Sequence, residues 1–189
     1  MKQVPATPEQ TIAPADITGL LLAGGRGTRM GGINNANRNR AAYEAFDVPV
    51  WPDSVADYPG PLASLLSGLE HCATPWLLTV PCNTPLFPLD LAERLAKVAV
   101  TSNPEITMVS APGLKDKADG DKAARAQPVF SLLRADLCDS LRRYIDGSRK
   151  VHAWAAQHRA VLAPFVRPGD ASEAFLNVNT LTELHALEN

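Results

Sequence analysis

The chain has 189 residues, of which 46% are hydrophobic and 20% are charged, and its formal net charge is -2. That length is enough for one domain with a sizeable core, and the lack of a basic excess argues against a nucleic-acid partner. No run approaches the roughly 18 apolar residues of a membrane span. The three cysteines are widely spaced, which predicts neither a disulfide framework nor a zinc cluster and favours a reducing, cytoplasmic compartment.

The first 16 residues mix Pro, Ala, Thr and Gln with scattered charge, and they lack the apolar core of a signal peptide. They are predicted to form a disordered tail. Residues 17–189 are predicted to form a single domain.

An apolar strand, residues 20–23, leads directly into a loop that contains five glycines and two arginines. Glycine permits positive φ and lets N–H groups crowd against an anion, while arginine keeps its charge at any working pH. The loop lacks both the third glycine of the dinucleotide fingerprint and the Gly-Lys-Ser/Thr ending of a P-loop. It is predicted to bind nucleotide phosphates in another way, and a glycine-rich turn without a ligand is the alternative.

The chain between this loop and the next predicted strand, residues 33–36, is short. Parallel neighbours need a crossover of about a dozen residues or more, and residues 24–32 cannot form both a phosphate loop and a crossover helix. We expect a disordered stretch at the Gly32-Ile33 junction that the printed sequence lacks. A natural or engineered deletion is the alternative.

Beyond the junction, short apolar runs alternate with segments of helical period, which predicts a three-layer α/β/α fold with a Rossmann-like, mostly parallel sheet. Helices are predicted at residues 61–69, 89–98, 135–145 and 148–157, strands at 76–80, 106–111 and 127–132, and a last helix after the capping box of Thr180 and Glu183. Residues 113–126 are predicted to form a polar hairpin or loop. This segment is a candidate lid, and a solvated surface loop is the alternative.

The run Leu22-Ala23-Gly24-Gly25-Arg26-Gly27-Thr28-Arg29-Met30 resembles the signature of the pyrophosphorylase-like nucleotidyltransferases. Within them, the chain is similar to the molybdenum cofactor guanylyltransferases in Asn35-Ala36-Asn37-Arg38, Asp57-Tyr58-Pro59-Gly60-Pro61-Leu62, Pro81-Cys82-Asn83-Thr84-Pro85 and Asn177-Val178-Asn179-Thr180. The resemblance implies the nucleotide-diphospho-sugar transferase fold. It also implies transfer of GMP from GTP to the terminal phosphate of molybdopterin, with release of pyrophosphate.

On the nucleotide side, the resemblance makes Arg29 the catalytic residue, facing the β- and γ-phosphates. The implied nucleotide contacts are Leu22, Ala23, Gly24, Gly25, Gly27, Asn35, Asp53 and Asn83. Asp53 follows a predicted third strand. Its carboxylate suits either the N1–H and amine of guanine or the metal ion, and both roles stay open. In the family, the segment absent at the Gly32-Ile33 junction also carries a lysine that contacts the nucleotide.

At the position where the family has a magnesium-ligating aspartate, this chain has Asn83. Asparagine offers a carbonyl oxygen but not the negative charge that Mg²⁺, or Mn²⁺ as the alternative ion, depends on. Weaker metal binding is therefore expected, unless Asp53 or Asp57 compensates. An asparagine that caps the turn after a strand is the alternative explanation.

On the pterin side, the resemblance implies contacts from Arg38, Tyr58, Gly60, Pro61, Asn177, Asn179 and Thr180. Gly60 and Pro61 are predicted at a helix start, which favours a phosphate, although an N-terminal proline explains them equally. Asn177 and Asn179 are predicted on a strand end with both amides on one side, or as partners of local backbone. Molybdenum-insertion proteins and molybdoenzyme apoproteins are the implied protein partners.

Two other functions stay open. The first is a related enzyme that transfers CMP to the same pterin, or a nucleotide to a sugar phosphate. The second is a module that binds nucleotide or pterin with weakened catalysis, which Asn83 and the missing segment favour. The four histidines lack ligand spacing and no Gly-x-Ser-x-Gly elbow occurs, so no histidine or serine is assigned a catalytic role.

Overall fold

The computed structural model describes residues 11–23, 43–53, 55, 60–112, 124–145, 150–171 and 173–187. In chain order its elements are β1 (Ile17–Leu22), α1 (Pro61–Glu70), β2 (Trp76–Pro81), α2 (Leu91–Ser102), β3 (Ile106–Pro112), β4 (Ala124–Arg134), α3 (Cys138–Ile145), α4 (Val151–Ala155), β5 (Ala160–Pro164) and α5 (Leu181–His185). Short 3-10 turns precede β1 at Pro14–Asp16 and α3 at Ala135–Leu137.

The five described strands form one sheet in the order β1-β2-β4-β3-β5. β1 is parallel to β2, and β3 is parallel to β5. β4 is antiparallel to both of its neighbours, β2 and β3. Four of these five strands therefore run in one direction, and the predicted mostly parallel sheet is confirmed.

Helices cover both faces of the sheet over two separate apolar cores. One core packs α1, α3 and α4 against the sheet around Leu65, Leu141 and Trp154. The other packs α2 and the segment after β5 around Leu95 and Phe165. The adjacent residues Leu132 and Leu133 of β4 belong to opposite cores, because successive side chains of a strand point to opposite faces. The predicted three-layer α/β/α architecture is confirmed.

The helix starts follow the local sequence signals. α1 begins at Pro61, directly after Gly60, where the missing N–H of proline has no intrahelical partner to lose. α5 begins after Thr180, whose hydroxyl accepts a hydrogen bond from the Glu183 N–H (3.1 Å) while the Glu183 carboxylate accepts one from the Thr180 N–H (3.2 Å). This reciprocal pair is the predicted capping box.

Some element boundaries differ from the predictions. α2 starts at Leu91 and not at residue 89, because the Leu91 N–H donates to the Pro88 carbonyl in a turn (3.1 Å). It continues to Ser102 and ends at Asn103, which adopts a left-handed conformation (φ 43°), as asparagine often does at a helix end. β4 already begins at Ala124, inside the predicted polar loop, since Ala124 pairs with Pro112 of β3.

Other differences concern whole elements. β5 was not predicted, and α4 is shorter than the helix predicted at 148–157. No strand precedes Asp53 in residues 43–53, and residues 177–179 belong to neither a helix nor a strand. Pro14–Asp16, in the predicted tail, form a turn in which the Asp16 carboxylate accepts the Ala13 N–H (2.9 Å). The predicted strand at 33–36, the Gly32-Ile33 junction and residues 113–123 lie outside the described residues.

None of the helices in the described residues is long and apolar enough to cross a membrane.

Candidate functional site

The carboxyl ends of β1 and β2 lie side by side. Leu22 is in register with Pro81, and the Cys82 N–H donates to the Leu22 carbonyl (3.2 Å). Leu22 and the buried Ala23 therefore adjoin the loop that follows β2. This edge is where ligands bind in open α/β sheets.

Two polar side chains of the loop after β2 bind the segment that precedes α5. Asn83 Nδ2 donates to Asn179 Oδ1 (3.2 Å), and the Thr84 hydroxyl donates to Asn177 Oδ1 (3.1 Å). The Val178 N–H donates to the Asn83 carbonyl (2.7 Å). Val178 is buried between the two asparagines, so the predicted alternation of Asn177 and Asn179 about an apolar residue is present without a strand.

The backbone of this segment is also held by the helix that follows it. The Glu183 carboxylate accepts hydrogen bonds from the N–H groups of Asn179 (2.7 Å) and Thr180 (3.2 Å). A carboxylate at a helix start is favoured by the helix dipole as well. The orientation of Asn179 is therefore fixed from the Asn83 side and from the Glu183 side.

A cavity of about 560 Å³ opens beside β1 and α1, a volume typical of sites for small molecules. Ala23, Tyr43 and Asp53 lie on its wall, and its remaining described lining is mainly apolar. No arginine or lysine is among the described residues that line it. Positive charge for a triphosphate would have to come from residues outside the described part of the chain, such as Arg29.

Asp53 is oriented by α1. Its Oδ1 accepts a hydrogen bond from the Ser64 hydroxyl (2.6 Å), a short bond of the charge-assisted kind. The bond engages one carboxylate oxygen, and a carboxylate has acceptor capacity beyond one bond. This geometry suits recognition of a donor pair such as the N1–H and amine of guanine.

Trp51 and His71 stack at the rim of the same cavity, with ring centroids 3.9 Å apart and planes at 16°. His71 caps the end of α1, and its Nδ1 lies 2.8 Å from the Ser67 carbonyl. The stack joins the segment that carries Asp53 to the end of α1.

Cys82 has the wrong protonation state for a nucleophile. Burial raises the pKa of the Cys82 thiol above its ordinary value, so the thiol is protonated at neutral pH. Burial, together with neighbouring Cys82, also raises the pKa of the Tyr43 hydroxyl on the cavity wall. Neither group supplies an anion to this site at neutral pH.

The donors at the predicted metal site are the side chains of Asn83 and Asp53. In the described residues no group of three or more His, Cys, Asp or Glu side chains is placed to hold a metal ion. The Asn83 amide nitrogen donates a hydrogen bond to Asn179 Oδ1, and Asp53 Oδ1 accepts one from the Ser64 hydroxyl. Mg²⁺ requires hard, charged oxygens in near-octahedral geometry. One neutral amide oxygen at position 83 does not fit that requirement.

The structure thus brings Leu22, Ala23, Asn83, Asn177 and Asn179 to one edge of the sheet. Thr180 adjoins them as the cap of α5, and Asp53 shares the cavity wall with Ala23. Gly60 and Pro61 begin α1, as predicted, and no described contact joins them to the asparagines. The other predicted site residues lie outside the described residues: Gly24, Gly25, Gly27, Arg29, Asn35, Arg38 and Tyr58.

Sequence reasoning missed several residues that orient the predicted ones. Ser64 holds Asp53, Thr84 holds Asn177, and Glu183 holds the backbone of Asn179. Thr84 and Glu183 belong to motifs noted in the sequence, so their proximity to the site could have been predicted from those motifs. No local pattern signalled Ser64, because a serine among the leucines of a helix gives no indication of a distant hydrogen-bond partner.

Comparison with known proteins identifies the class of this chain. A model of the MobA-like NTP transferase domain matches residues 32–161. The chain belongs to this family of nucleotidyltransferases.

Particular relatives carry a more specific name. The molybdenum cofactor guanylyltransferase of Acidovorax sp. (strain JS42) is 52% identical, over 92% of this chain and 95% of the relative. The protein of the same name from Albidiferax ferrireducens is 49% identical, over 94% of this chain and 98% of the relative. These alignments extend over 202 and 209 positions, more than the 189 residues of this chain. Both relatives therefore have residues within the aligned region that this chain lacks.

A solved structure agrees on the fold. Molybdopterin-guanine dinucleotide biosynthesis protein A from Archaeoglobus fulgidus superimposes with a TM-score of 0.64 at 16% identity, covering 91% of this chain and 96% of that one. This likeness shows the fold alone. It confirms the predicted nucleotidyltransferase architecture.

Proposed function

We propose that this chain transfers GMP from GTP to the terminal phosphate of molybdopterin. A phosphate oxygen of the pterin attacks the α-phosphorus, the bond from that phosphorus to the bridging oxygen breaks, and pyrophosphate leaves with the electron pair. The observation that carries the proposal is the 52% identity to a relative named molybdenum cofactor guanylyltransferase. The hydrogen bonds that connect the carboxyl ends of β1 and β2 with the segment before α5 also support it. The residues that they connect lie at the sheet edge where ligands bind in this class of fold.

In this proposal the protein positions two anions and neutralises the charge that grows on pyrophosphate. Leu22 and Ala23 line the guanine side, and Asp53 reads the guanine edge. Arg29 faces the β- and γ-phosphates, and the N–H groups of residues 24–27 assist it. The remaining assignments also come from the resemblance: Asn35 and Asn83 on the nucleotide side, and Arg38, Tyr58, Gly60, Pro61, Asn177, Asn179 and Thr180 on the pterin side.

Competition between nucleotides tests the proposal. With molybdopterin as acceptor, kcat/KM for GTP is expected to exceed that for CTP by about 100-fold or more, because a site that hydrogen-bonds a substrate rejects an analogue without those groups. Asp53→Asn should reduce this ratio, whereas Ser64→Ala, which frees Asp53 without removing it, should reduce it less. Product formation is measured by chromatography of the dinucleotide. A preference for CTP, or transfer only to a sugar phosphate, would replace this function by a sibling reaction.

We propose that Asn83, in place of an aspartate, lowers the affinity of the site for Mg²⁺. Asn83→Asp should lower the Mg²⁺ concentration for half-maximal activity about tenfold, because ligand charge sets the affinity of hard cations. The new carboxylate would lie beside Asn179 Oδ1, so the Asn179 amide must rotate to donate through Nδ2. The measurement is turnover against Mg²⁺ and Mn²⁺ concentration. Asn103→Asp, at the cap of α2, is the matched control. An unchanged Mg²⁺ requirement in Asn83→Asp would end the idea that this position weakens the metal site.

A second candidate function has its own support. The relatives have residues that this chain lacks within the aligned region, and we propose that these residues belong at the Gly32-Ile33 junction. Without a crossover element there, the chain would bind GTP or pterin and turn over slowly. Titration calorimetry with GTP, compared with turnover by the same preparation, distinguishes this binding module from an active enzyme.

We further propose a cytoplasmic location. Cys72, Cys82 and Cys138 are all free thiols, which suits a reducing compartment. Proteins that insert molybdenum and the apoproteins of molybdoenzymes are proposed as partners that supply the pterin or receive the product.

A further inference from the structure

The segment between β5 and α5 carries Asn177 and Asn179, yet its described residues form neither helix nor strand. In the described residues, backbone hydrogen bonds join the segment to the rest of the protein near its two ends. The Phe165 N–H donates to the Ser110 carbonyl (2.8 Å), and the Val178 N–H donates to the Asn83 carbonyl (2.7 Å). The backbone bonds between these two points are turns inside the segment. Something other than backbone pairing must hold its middle.

A buried arginine on α2 provides that hold. Arg94 is only 7% exposed, and its Nη1 and Nη2 donate to the two carboxylate oxygens of Asp170 (2.7 and 3.0 Å). Nη2 also donates to the Pro164 carbonyl (2.9 Å). The Asp170 Oδ2 accepts a further bond from the Arg167 N–H (2.7 Å). This two-point fork fixes direction as well as distance, which a single lysine contact could not do.

Aromatic rings extend the hold toward the site. The guanidinium carbon of Arg94 lies 3.7 Å from the centroid of the Phe165 ring, within the range of a cation–π contact. Phe165 packs edge-on against Phe175 at 5.3 Å, and Phe175 packs edge-on against Phe130 of β4 at 5.0 Å. Phe175 is two residues before Asn177. A displacement at Arg94 is therefore transmitted through two close-packed rings to the residues that carry the amides.

We infer that Arg94 and Asp170 are positioning residues that set the placement of Asn177 and Asn179 against the loop after β2. The inference rests on the proposed function, because it assigns those two amides to the phosphate-bearing pterin. Arg94 lies on α2 and contacts Pro164 and Phe165. It acts on the pterin side of the site indirectly, through the segment that it holds. The pair therefore acts mainly on pterin binding, and it reaches the nucleotide side only through Asn83, which is hydrogen-bonded to Asn179.

Asp170→Asn, Arg94→Lys and Arg94→Met test the inference, with Asp139→Asn at the exposed Asp139–Arg142 pair as the matched control. Amide hydrogen exchange in the chain without substrates is the first readout. Exchange in residues 173–180 should accelerate about tenfold in Asp170→Asn and in Arg94→Met, and less in Arg94→Lys, while residues 61–70 of α1 keep their rates. Asp139→Asn should change neither region. Equal acceleration in both regions, or none in residues 173–180, would overturn the inference.

Equilibrium titration supplies the second readout and needs no turnover. The dissociation constant for molybdopterin should rise about fivefold in Asp170→Asn, as expected for loss of one oriented hydrogen bond. The dissociation constant for GTP should rise less, because the segment touches the nucleotide side through Asn83. In the double variant Asp170→Asn/Asn179→Ala, the loss of molybdopterin affinity should be smaller than the sum of the two single losses. Additive losses, or equal losses for GTP and molybdopterin, would mean that the pair contributes only to general stability.

The two readouts separate this inference from the proposed function. If Asn179→Ala leaves molybdopterin binding unchanged, the assignment of the pterin side fails, and the exchange rates still decide whether Arg94 and Asp170 hold the segment. If the exchange rates respond and molybdopterin binding does not, the pair holds the segment without positioning it for the pterin, and the inference is wrong.

Discussion

Arg29→Ala is expected to lower kcat about 100- to 1000-fold, the loss typical for removal of one group that stabilises charge in a transition state. Expulsion of pyrophosphate places negative charge on the β- and γ-phosphates, and a guanidinium there acts mainly as that charge grows. KM for GTP should change much less than kcat. Steady-state rates over a range of GTP concentrations provide the measurement.

The loop contains its own control for this prediction. Arg26 lies in the same glycine-rich run but not at the family position of the catalytic arginine, so Arg26→Ala should cost far less turnover than Arg29→Ala. Arg29→Lys should recover part of the rate, since lysine restores charge without the planar fork. Equal losses at both arginines, or a rise in KM at constant kcat in Arg29→Ala, would mean that the loop only binds the triphosphate.

Insertion of the missing residues between Gly32 and Ile33 is expected to raise turnover about 100-fold or more. This expectation rests on the proposal that a crossover is missing at this junction, since parallel neighbours need about a dozen connecting residues or more, and an error of about 1 Å in placing reactants can cost that factor. The residues to insert are those present in the 52% identical relative and absent from this chain. Turnover with saturating GTP and molybdopterin is compared between the two chains.

A flexible Gly/Ser insert of the same length is the matched control, because it restores chain length without apolar residues that pair and pack. The unaltered chain should have an intact mass of 20.2 kDa, and an inserted segment of about 25 to 30 residues, enough for a helical crossover, adds roughly 3 kDa. A heavier starting protein would mean that the segment is already present. Equal turnover in all three chains would remove the missing crossover as a cause of slow catalysis.

Most of the fold was predictable because its signals are local. The leucines of α1 recur at helical spacing, and the apolar residues of β2 form a run of strand length, so burial alone determines their structure. β5 escaped prediction because it is short, includes Pro164 and exposes nearly half of Leu162. It becomes a strand through pairing with β3, from Ile106 with Ala160 to Ser110 with Pro164. Pairing partners of this kind are not contained in the strand's own sequence.

The site was predictable as a set of motifs but not as a set of contacts. The family resemblance predicted Asn83, Asn177 and Asn179 as site residues. It did not predict the hydrogen bond between Asn83 and Asn179, because those residues are 96 positions apart in the sequence. Arg94 was overlooked for a similar reason. A single arginine in an amphipathic helix normally marks a solvated face, and only Asp170, 76 positions later, makes it a buried one.

The pairing of β1 with β2 has a consequence for biosynthesis. β1 leaves the ribosome well before β2, and this pairing begins where Ile17 meets Trp76. The pairing cannot form until β2 has been synthesised, and closing so long a loop slows folding. The carboxyl end of β1 therefore reaches its final place only after β2 has been made. A nascent chain that stalls before residue 76 would lack this partner for Leu20, Leu21 and Leu22, and would depend on chaperones to avoid aggregation.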